Sequence, residues 1–511
     1  MIQVALVAWL PLTALLFVVL RPHVATAASL IFGVAMLPSL RSIPMPVMPD
    51  LDQYTVPVLG CFIMMMLRFP RRVMAARPGT GGEALILAMC AGALVTNLTN
   101  MDPQSFGANV LPPMKITDTI NDSLRMIIRW ALPFLFGRIL VRTVQEAVEV
   151  LMVLAIALLV YLPFILVELQ TGPLFHSMVY GTTPSPTTFM QAMKFGGYRP
   201  VVLMNHGLTL SVFVLYGTMA WACLAKLKTM PFNLIAPKPM VGGLAFVIAA
   251  CKSVGVWLYA ILVIPTLFLV RPRAQLFAAA CIAIVVLAYP LLRSVDMIPI
   301  EGVAGIAEQM VGFRTADSFL ARTKSEDEIL NRTAERYFFG WGGNARYMVY
   351  DEVTGMPLST IDGFWVFQFG AGGLFRFVAL FAFLLYPVFY VYRRAGRIRS
   401  PAALTVLATL VWIVTLRTFD LLPNSTVDPY LTFIGGAACG LAAAESKRKR
   451  TSQQTSPRKT APSSRRNRDP QRSAGADTEA DPDASAAPPR SASLAANLHD
   501  AQPKHETRKR R

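Results

Sequence analysis

The interval 294–362, here called the cap segment, gathers arginines and carboxylates between two series of apolar segments. A guanidinium group is planar and can donate to two phosphate oxygens at once, and a nearby carboxylate can accept a proton. The arginines of the cap segment are Arg314, Arg322, Arg332, Arg336 and Arg346, and its carboxylates include Glu326, Asp327, Glu328, Glu335, Asp351, Glu352 and Asp362. We expect this segment to bind an anionic group and to move a proton.

Two residues of the cap segment are candidates for catalysis. Arg322, Glu326 and the apolar pair at 329–330 follow helical spacing, which predicts an amphipathic helix along the outer membrane surface. Arg322 on that helix is a candidate diphosphate ligand, although an ion pair with Glu326 or Asp327 would explain it equally well. Asp362 ends the segment just before an apolar helix, where it can accept a proton from a hydroxyl or serve as the helix N-cap.

The run 336–346 surrounds Gly340-Trp341-Gly342-Gly343, which is too rich in glycine for a regular helix. Such a backbone can approach a ligand closely, and an indole suits either a sugar face or the headgroup level of a membrane. We therefore predict that Arg336, Trp341 and Arg346 bind substrate.

A second polar stretch, 172–207, leads through Gly197-Tyr198-Arg199-Pro200 into an apolar segment. Proline suits the first turn of a helix, so the sequence predicts a helix from Pro200 with Arg199 at its outer mouth. His206 would then lie about 9 Å further along, at about 1.5 Å per residue. Arg199 is a candidate diphosphate ligand or an interfacial arginine reaching toward water. His206 is a candidate substrate ligand or a histidine bonded to a neighbouring helix.

The composition excludes an ordinary soluble protein. The 511 residues are 54% apolar and 15% charged, with a mean hydropathy of +0.48. Half of the net charge of +18 comes from 447–511, which holds 16 basic and 7 acidic side chains. The other basic residues cluster between alternate apolar segments, as the positive-inside rule describes, so we predict no nucleic-acid partner. All six cysteines lie in apolar runs, and no disulfide framework is expected.

About thirteen apolar segments, within a range of about 11 to 14, approach the roughly 20 residues that cross a membrane. They centre on 4–20, 25–40, 55–68, 83–98, 125–141, 148–168, 201–223, 238–251, 254–270, 275–292, 363–391, 401–417 and 429–444. We predict an all-α polytopic membrane protein with four parts: transmembrane helices 1–10 over 1–293, the extracytoplasmic cap segment, helices 11–13 over 363–446, and a disordered cytoplasmic tail over 447–511. The tail begins with four basic residues, which favour contact with anionic membrane lipids.

Motifs for metals and cofactors are weak. Asp50 and Asp52, in the first long outer loop, resemble the acidic pair of metal-dependent, lipid-linked glycosyltransferases, but two carboxylates without further ligands make a poor metal site. The sequence contains no Walker lysine loop and no H-E-x-x-H motif. We therefore expect no metal and no cofactor.

These motifs resemble the O-antigen polymerase and O-antigen ligase superfamily of bacterial inner-membrane glycosyltransferases. The resemblance is carried by 318–322, by 336–346, by Thr360-Ile361-Asp362-Gly363 with Gly373 after nine further residues, and by 197–200. The ligase branch has His followed by Asn, Ser or Gln where this chain has Asp362 and Gly363. A polymerase-like relative is therefore expected rather than a lipopolysaccharide ligase.

The resemblance implies a metal-independent inverting glycosyltransferase in the bacterial cytoplasmic (inner) membrane. Arg199 and Arg322 would hold the diphosphate of a polyprenyl-linked saccharide donor while an acceptor saccharide hydroxyl displaces it, with Asp362 as the base. Two other functional classes remain as alternatives. A transporter or flippase of lipid-linked saccharides would place charges deep inside several helices, and a non-catalytic scaffold would recruit partners through the basic tail.

Overall fold

The computed structural model describes residues 1–454 except 77–80, 186, 230–235, 295–296, 298–299, 312 and 425–427. This part of the chain is mostly helical. Its α-helices are α1 (Ile2–Val19), α2 (Pro22–Met36), α3 (Thr55–Arg68), α4 (Pro70–Ala75), α5 (Glu83–Leu98), α6 (Ile116–Met126), α7 (Leu132–Leu140), α8 (Val144–Thr171), α9 (Phe175–Tyr180), α10 (Thr188–Ala192), α11 (Gly207–Leu227), α12 (Pro237–Ala250), α13 (Val254–Leu269), α14 (Pro272–Ser294), α15 (Ile300–Val311), α16 (Phe313–Ala334), α17 (Phe364–Ala395), α18 (Pro401–Asp420) and α19 (Pro429–Gln454).

Two small antiparallel hairpins interrupt the helices. One pairs β1 (Gln104–Phe106) with β2 (Asn109–Leu111), and the other pairs β3 (Met193–Lys194) with β4 (Gly197–Tyr198). A π-helical turn at Ile127–Ala131 joins α6 to α7, so one continuous helical run covers 116–140. The sequence did not indicate either hairpin, because each strand is only two or three residues long.

Every apolar segment predicted to cross the membrane overlaps a helix of the described chain, although the segments 25–40 and 201–223 extend beyond α2 and α11. Six of the described helices are long and apolar enough to span a bilayer, namely α1, α8, α11, α14, α17 and α18. The apolar helices α2, α3, α5, α12 and α13 have 14 to 16 residues, and at about 1.5 Å per residue they fall short of a hydrocarbon layer of about 30 Å. The mostly helical, membrane-type fold is therefore confirmed, but thirteen spans are not.

The predicted start of the disordered tail at Lys447 is wrong by about two turns. Helix α19 continues to Gln454, because the Lys and Arg residues that follow Ser446 are good helix formers. The rest of the predicted tail, 455–511, lies outside the described residues.

Helix α19 packs closely against α7. Gly436 and Gly440 on α19 and Gly137 on α7 leave no room for a Cβ atom, because each faces backbone atoms of the other helix. Small residues four positions apart allow such close contact between helices where no hydrophobic effect drives packing. This contact belongs to the rigid base on which the cap segment lies.

The cap segment docks onto a break in α17. Gly373 has φ 64° and ψ −169°, which interrupts the helix and frees backbone groups on both sides. The Gly-Trp-Gly-Gly turn and the residues before it fill the break with four hydrogen bonds: Trp341 N to Gly370 O (3.0 Å), Gly342 N to Ala371 O (2.9 Å), Leu374 N to Tyr337 O (2.8 Å) and Phe375 N to Phe338 O (3.2 Å). The glycines of this motif therefore have a structural role.

We predict that Gly373→Ala destabilises the protein by about 1–3 kcal/mol, because the conformation of Gly373 is essentially restricted to glycine and an added Cβ would meet the Phe338 carbonyl. Gly243→Ala is the matched control, since nothing lies within 4 Å of a Cβ at that helical position. Thermal unfolding in detergent measures both variants. Equal melting temperatures would show that the break in α17 does not depend on Gly373.

Candidate anion-binding site

The β3–β4 hairpin positions Lys194 and Arg199 at one edge of the bundle. Phe195 and Gly196 have φ values of 47° and 67°, the two positive angles of a tight hairpin turn. The Phe195 ring stacks on Trp257 of α13 with centroids 5.9 Å apart, and the Arg199 amide donates to Ala192 O at 2.7 Å. The hairpin is thus fixed at its tip and at its open end.

Helix α11 begins at Gly207, so the predicted start at Pro200 is wrong. His206 is the N-cap of this helix, and its Nδ1 accepts a hydrogen bond from the Leu208 amide at 3.1 Å. His206 therefore does not lie about 9 Å deeper than the helix mouth. It lies at the helix start, in the same non-helical segment as Arg199.

A buried carboxylate explains why this segment is not helical. Glu168, near the end of α8, has no solvent exposure. One of its oxygens accepts from the amides of Val201 and Val202 at 2.8 and 2.7 Å, and the other accepts from Leu174 and Phe175 at 2.9 and 3.0 Å. Amides bonded to a side chain cannot enter a helical ladder. Glu168 thus fixes the backbone that follows Arg199.

Arg199 is only 5% exposed. Its guanidinium donates to Ser253 Oγ, which donates to Ser211 Oγ at 2.8 Å, and its Nε is buried without a hydrogen-bond partner. The side chain crosses Gly207 at the start of α11, where a Cβ would fall 2.7 Å from Arg199 Cδ. In the described part of the chain, no carboxylate forms an ion pair with Arg199. A buried cation at the positive end of a helix favours a bound anion.

Other basic groups near Arg199 add to the positive electrostatic potential of this site. Burial, together with the Arg322 charge, lowers the pKa of Arg199 to about 10. The surrounding protein and the charges of Arg199 and Arg322 also lower the pKa of Lys194. Burial, with the charges of Arg199, Lys194 and Arg322, lowers the pKa of His206 to about 4. His206 is therefore neutral at pH 7, and because Nδ1 accepts a hydrogen bond, its proton is on Nε2 and can be donated.

Arg322 on α16 pairs with Asp362, with Nε 3.2 Å from Oδ2. The two side chains are 43% and 45% exposed. Gly363, not Asp362, is the N-cap of α17, so the capping interpretation of Asp362 is wrong. The alternative pairing of Arg322 with Asp327 is also absent, because Asp327 pairs with Arg293 at 2.6 Å. The structure therefore places Arg322 beside Asp362 and within electrostatic range of Arg199 and His206.

Arg336, Trp341 and Arg346 lie in a different cluster. The arginine donors in this cluster bind protein oxygens: Arg346 binds Pro112 O (2.8 Å) and Trp341 O (3.3 Å), Arg336 binds Thr99 O and Asn100 Oδ1 (2.9 Å), and Arg332 binds Arg346 O (3.1 Å) and Gln104 Oε1 (2.9 Å). The Trp341 ring is 8% exposed and lies 4.4 and 4.5 Å from the Arg332 and Arg336 guanidinium carbons. These contacts attach the cap segment to residues 99–112, which include the β1–β2 hairpin. They do not support the predicted substrate-binding role of Arg336, Trp341 and Arg346.

The carboxylates proposed as a weak metal site, Asp50 and Asp52, are already bound by other groups of the protein. Asp52 accepts from the amides of Tyr54 and Thr55 at 3.0 and 2.8 Å and pairs with Arg129. Asp50 accepts from Ser42 Oγ at 3.1 Å. Within the described ranges, no three or more His, Cys, Asp or Glu side chains gather in a metal-binding arrangement.

Sequence reasoning missed the role of Glu168 and the setting of Glu326. Glu326 is 8% exposed, and its Oε1 accepts from Trp365 Nε1 at 3.2 Å. Its Oε2 is buried without a hydrogen-bond partner, and burial raises the pKa of this carboxyl to about 7. The sequence signal was available: Glu168 is an acid within an apolar run, and Glu326 lies one helical turn after Arg322.

We predict that Glu168→Gln loosens the segment that carries Arg199. The amide NH₂ group of Gln would face two N–H donors, which leaves buried donors unsatisfied and costs about 1–3 kcal/mol. Limited trypsin digestion should then cleave after Lys194 several-fold faster than in the wild type, whereas the Arg199–Pro200 bond resists trypsin in every variant. Glu352→Gln, at an exposed acid, is the control and should digest at the wild-type rate. Equal rates for all three proteins would contradict the anchoring role of Glu168.

Comparison with known proteins adds no identification. No known family model matches the sequence, and no curated protein matches it significantly.

Proposed function

We propose that the protein is a metal-independent, inverting glycosyltransferase that uses a polyprenyl-diphosphate-linked saccharide to polymerise or ligate cell-surface polysaccharide. The supporting observation is the buried Arg199 guanidinium, which has no carboxylate partner among the described residues and shares its surroundings with Arg322 and Lys194. A diphosphate supplies the negative charge that this cluster lacks. The apolar helices around it provide a membrane setting for a polyprenyl chain.

The chemistry follows from the charges of the site. Breaking the bond between the sugar and the diphosphate leaves additional negative charge on the diphosphate. Cations and N–H donors that are already in place stabilise this charge as it develops. In this proposal Arg199 and Arg322 supply the cations, and the neutral His206 supplies an Nε2–H donor. Guanidinium groups then have the role that a metal ion has in metal-dependent transferases.

In the proposed reaction, the acceptor hydroxyl attacks the anomeric carbon from the side opposite the diphosphate, which inverts the configuration. The sugar–phosphate bond breaks, and the diphosphate keeps the electron pair. A carboxylate near the site takes the hydroxyl proton. Asp362, which lies beside Arg322, is the acid that the sequence motif indicates. We propose that the reaction takes place at the outer face of the bacterial cytoplasmic membrane.

One observation favours the transporter alternative. Arg376 lies within α17, about 18 Å from its start at about 1.5 Å per residue, and donates to Gln368 Oε1 at 2.7 Å. A charge at that depth is often functional. Transport, however, requires a series of polar groups along a path, and the cationic cluster around Arg199 and Arg322 lies instead at the helix starts and in the cap segment.

We predict that Arg199→Ala and Arg322→Ala each reduce transfer from a polyprenyl-diphosphate-linked donor by at least about 100-fold, because each removes charge stabilisation of the leaving group. Purified protein in liposomes, with product length resolved on gels, measures this loss. Arg397→Ala is the matched control, since Arg397 is exposed beyond the other end of α17 and should leave transfer unchanged. Near-normal product from Arg322→Ala would argue strongly against the proposal.

Truncation after Gln454 separates the enzyme from the scaffold alternative. This cut keeps α19 whole and removes 455–511. We expect turnover in liposomes to stay within about twofold of the wild type, because no part of the site lies beyond α18. Loss of cellular polysaccharide with unchanged turnover in vitro would show an additional recruiting role for the tail. Loss of turnover itself would contradict the proposed site.

A further inference from the structure

We infer that Glu326, rather than Asp362, accepts the proton of the attacking hydroxyl. This inference rests on the proposed glycosyl transfer and assigns its base. Glu326 follows Arg322 by four residues on α16, and residues at this spacing lie on the same helix face. One face of α16 thus presents a diphosphate ligand and a carboxylate one turn apart.

The Glu326 carboxyl is held in position with one oxygen unused. Trp365 Nε1 donates to Oε1 at 3.2 Å, which fixes the orientation of the group. Oε2 has no hydrogen-bond partner in the protein, although the residue is 92% buried. An unsatisfied buried acceptor destabilises the folded protein. Such an arrangement is expected where the free oxygen has a ligand or a proton to bind.

Asp362 is in a less suitable environment for a base. Its side chain is 45% exposed, and its Oδ2 lies 3.2 Å from Arg322 Nε. The guanidinium therefore already occupies one of its oxygens, and the carboxyl is not enclosed as that of Glu326 is. Asp362 is better placed to orient Arg322 toward the diphosphate.

The absence of a side chain at Gly363 leaves room for the Glu326 carboxyl group. A Cβ atom at position 363 would fall 3.0 Å from Glu326 Oε1 and would also press against the Leu422 carbonyl. A larger residue at this position, as in the ligase-type motif, would therefore crowd both groups. The glycine that follows Asp362 and the buried Glu326 on α16 are thus parts of one arrangement.

The charges around Glu326 set its protonation. The groups facing it are Arg293 and Tyr289 on α14, Asp327 on its own helix, and Asp362. Burial raises the pKa of Glu326 to about 7, the Arg293 charge acts in the opposite direction, and Asp327 and Asp362 raise the pKa further. The carboxylate form is therefore well populated from neutral pH upward. A base with this property can take the hydroxyl proton and later release it to water.

The step balances in atoms and charge. The acceptor hydroxyl loses its proton to Oε2 of Glu326, and its oxygen forms the new bond to the anomeric carbon. The bond from that carbon to the diphosphate oxygen breaks, and the electron pair stays on the diphosphate. Glu326 ends the step protonated and returns its proton to solvent.

The test compares Glu326→Gln with wild type in the liposome assay. Gln keeps an acceptor for Trp365 and the same volume, but cannot take a proton, so turnover should fall about 100-fold or more with donor binding unchanged. Wild-type turnover at saturating donor should rise about tenfold per pH unit below about pH 7 and level off above it, and the residual rate of the variant should not follow this profile. Glu335→Gln, at an exposed acid just after α16, is the control.

Three outcomes distinguish the possibilities. Normal turnover by Glu326→Gln, with Arg322→Ala inactive, would overturn the role of Glu326 and leave the transferase intact. No transfer by the wild type from any lipid-linked donor would overturn both. Infrared difference spectra provide a readout apart from activity: a carboxyl band that titrates near pH 7 in the wild type and is absent from Glu326→Gln supports the assignment, and its absence from the wild type contradicts it.

Discussion

The site depends on a positive charge that the protein buries without neutralising it. Arg199 lies across the first residue of α11, where the helix dipole is positive, and its contacts within the protein are to neutral groups. Glu168 is also buried in this region and could have offset the charge, but its two oxygens accept four backbone N–H groups instead. One acid thus organises the backbone and leaves the arginine without an ion-pair partner among the described residues. Removing a cation from water without a partner is costly, so folding must supply this arrangement from packing elsewhere.

A second packing feature of the fold is the break in α17. The interruption at Gly373 exposes backbone groups inside the bundle, and the Gly-Trp-Gly-Gly turn satisfies them. The cluster of Arg332, Arg336 and Arg346 then attaches the turn to the β1–β2 loop, mainly through backbone carbonyls. Arginines that the sequence suggested as substrate ligands thus hold the cap segment on the bundle.

The sequence predicted the parts of this structure that depend on local pattern. Apolar periodicity located the helices, including α16, because burial in a bilayer or bundle leaves a strong local signal. Arg199, Arg322 and Asp362 were chosen as candidate site residues from their types and motifs, and the structure pairs Arg322 with Asp362. The start of α11 was predicted incorrectly because it depends on Glu168, more than thirty residues earlier. The role of Arg346 was equally hidden, since its partner Pro112 lies 234 positions away. The type of a residue does not reveal which distant carbonyl oxygen its N–H donors will bind in the folded protein.

Contacts that are distant in sequence also explain why the neighbouring acids Glu326 and Asp327 have different environments. Glu326 and Asp327 are adjacent in sequence, yet successive residues of a helix point about 100° apart, so only Glu326 faces Trp365 and Gly363 while Asp327 reaches Arg293. Glu326 is therefore buried, whereas Asp327 forms an ion pair with Arg293. Asp362 differs from Glu326 in a similar way, because it is 45% exposed and pairs with Arg322. In this region the environment of each carboxyl, more than its position in a motif, decides whether it is enclosed, as Glu326 is, or pairs with an arginine, as Asp327 and Asp362 do.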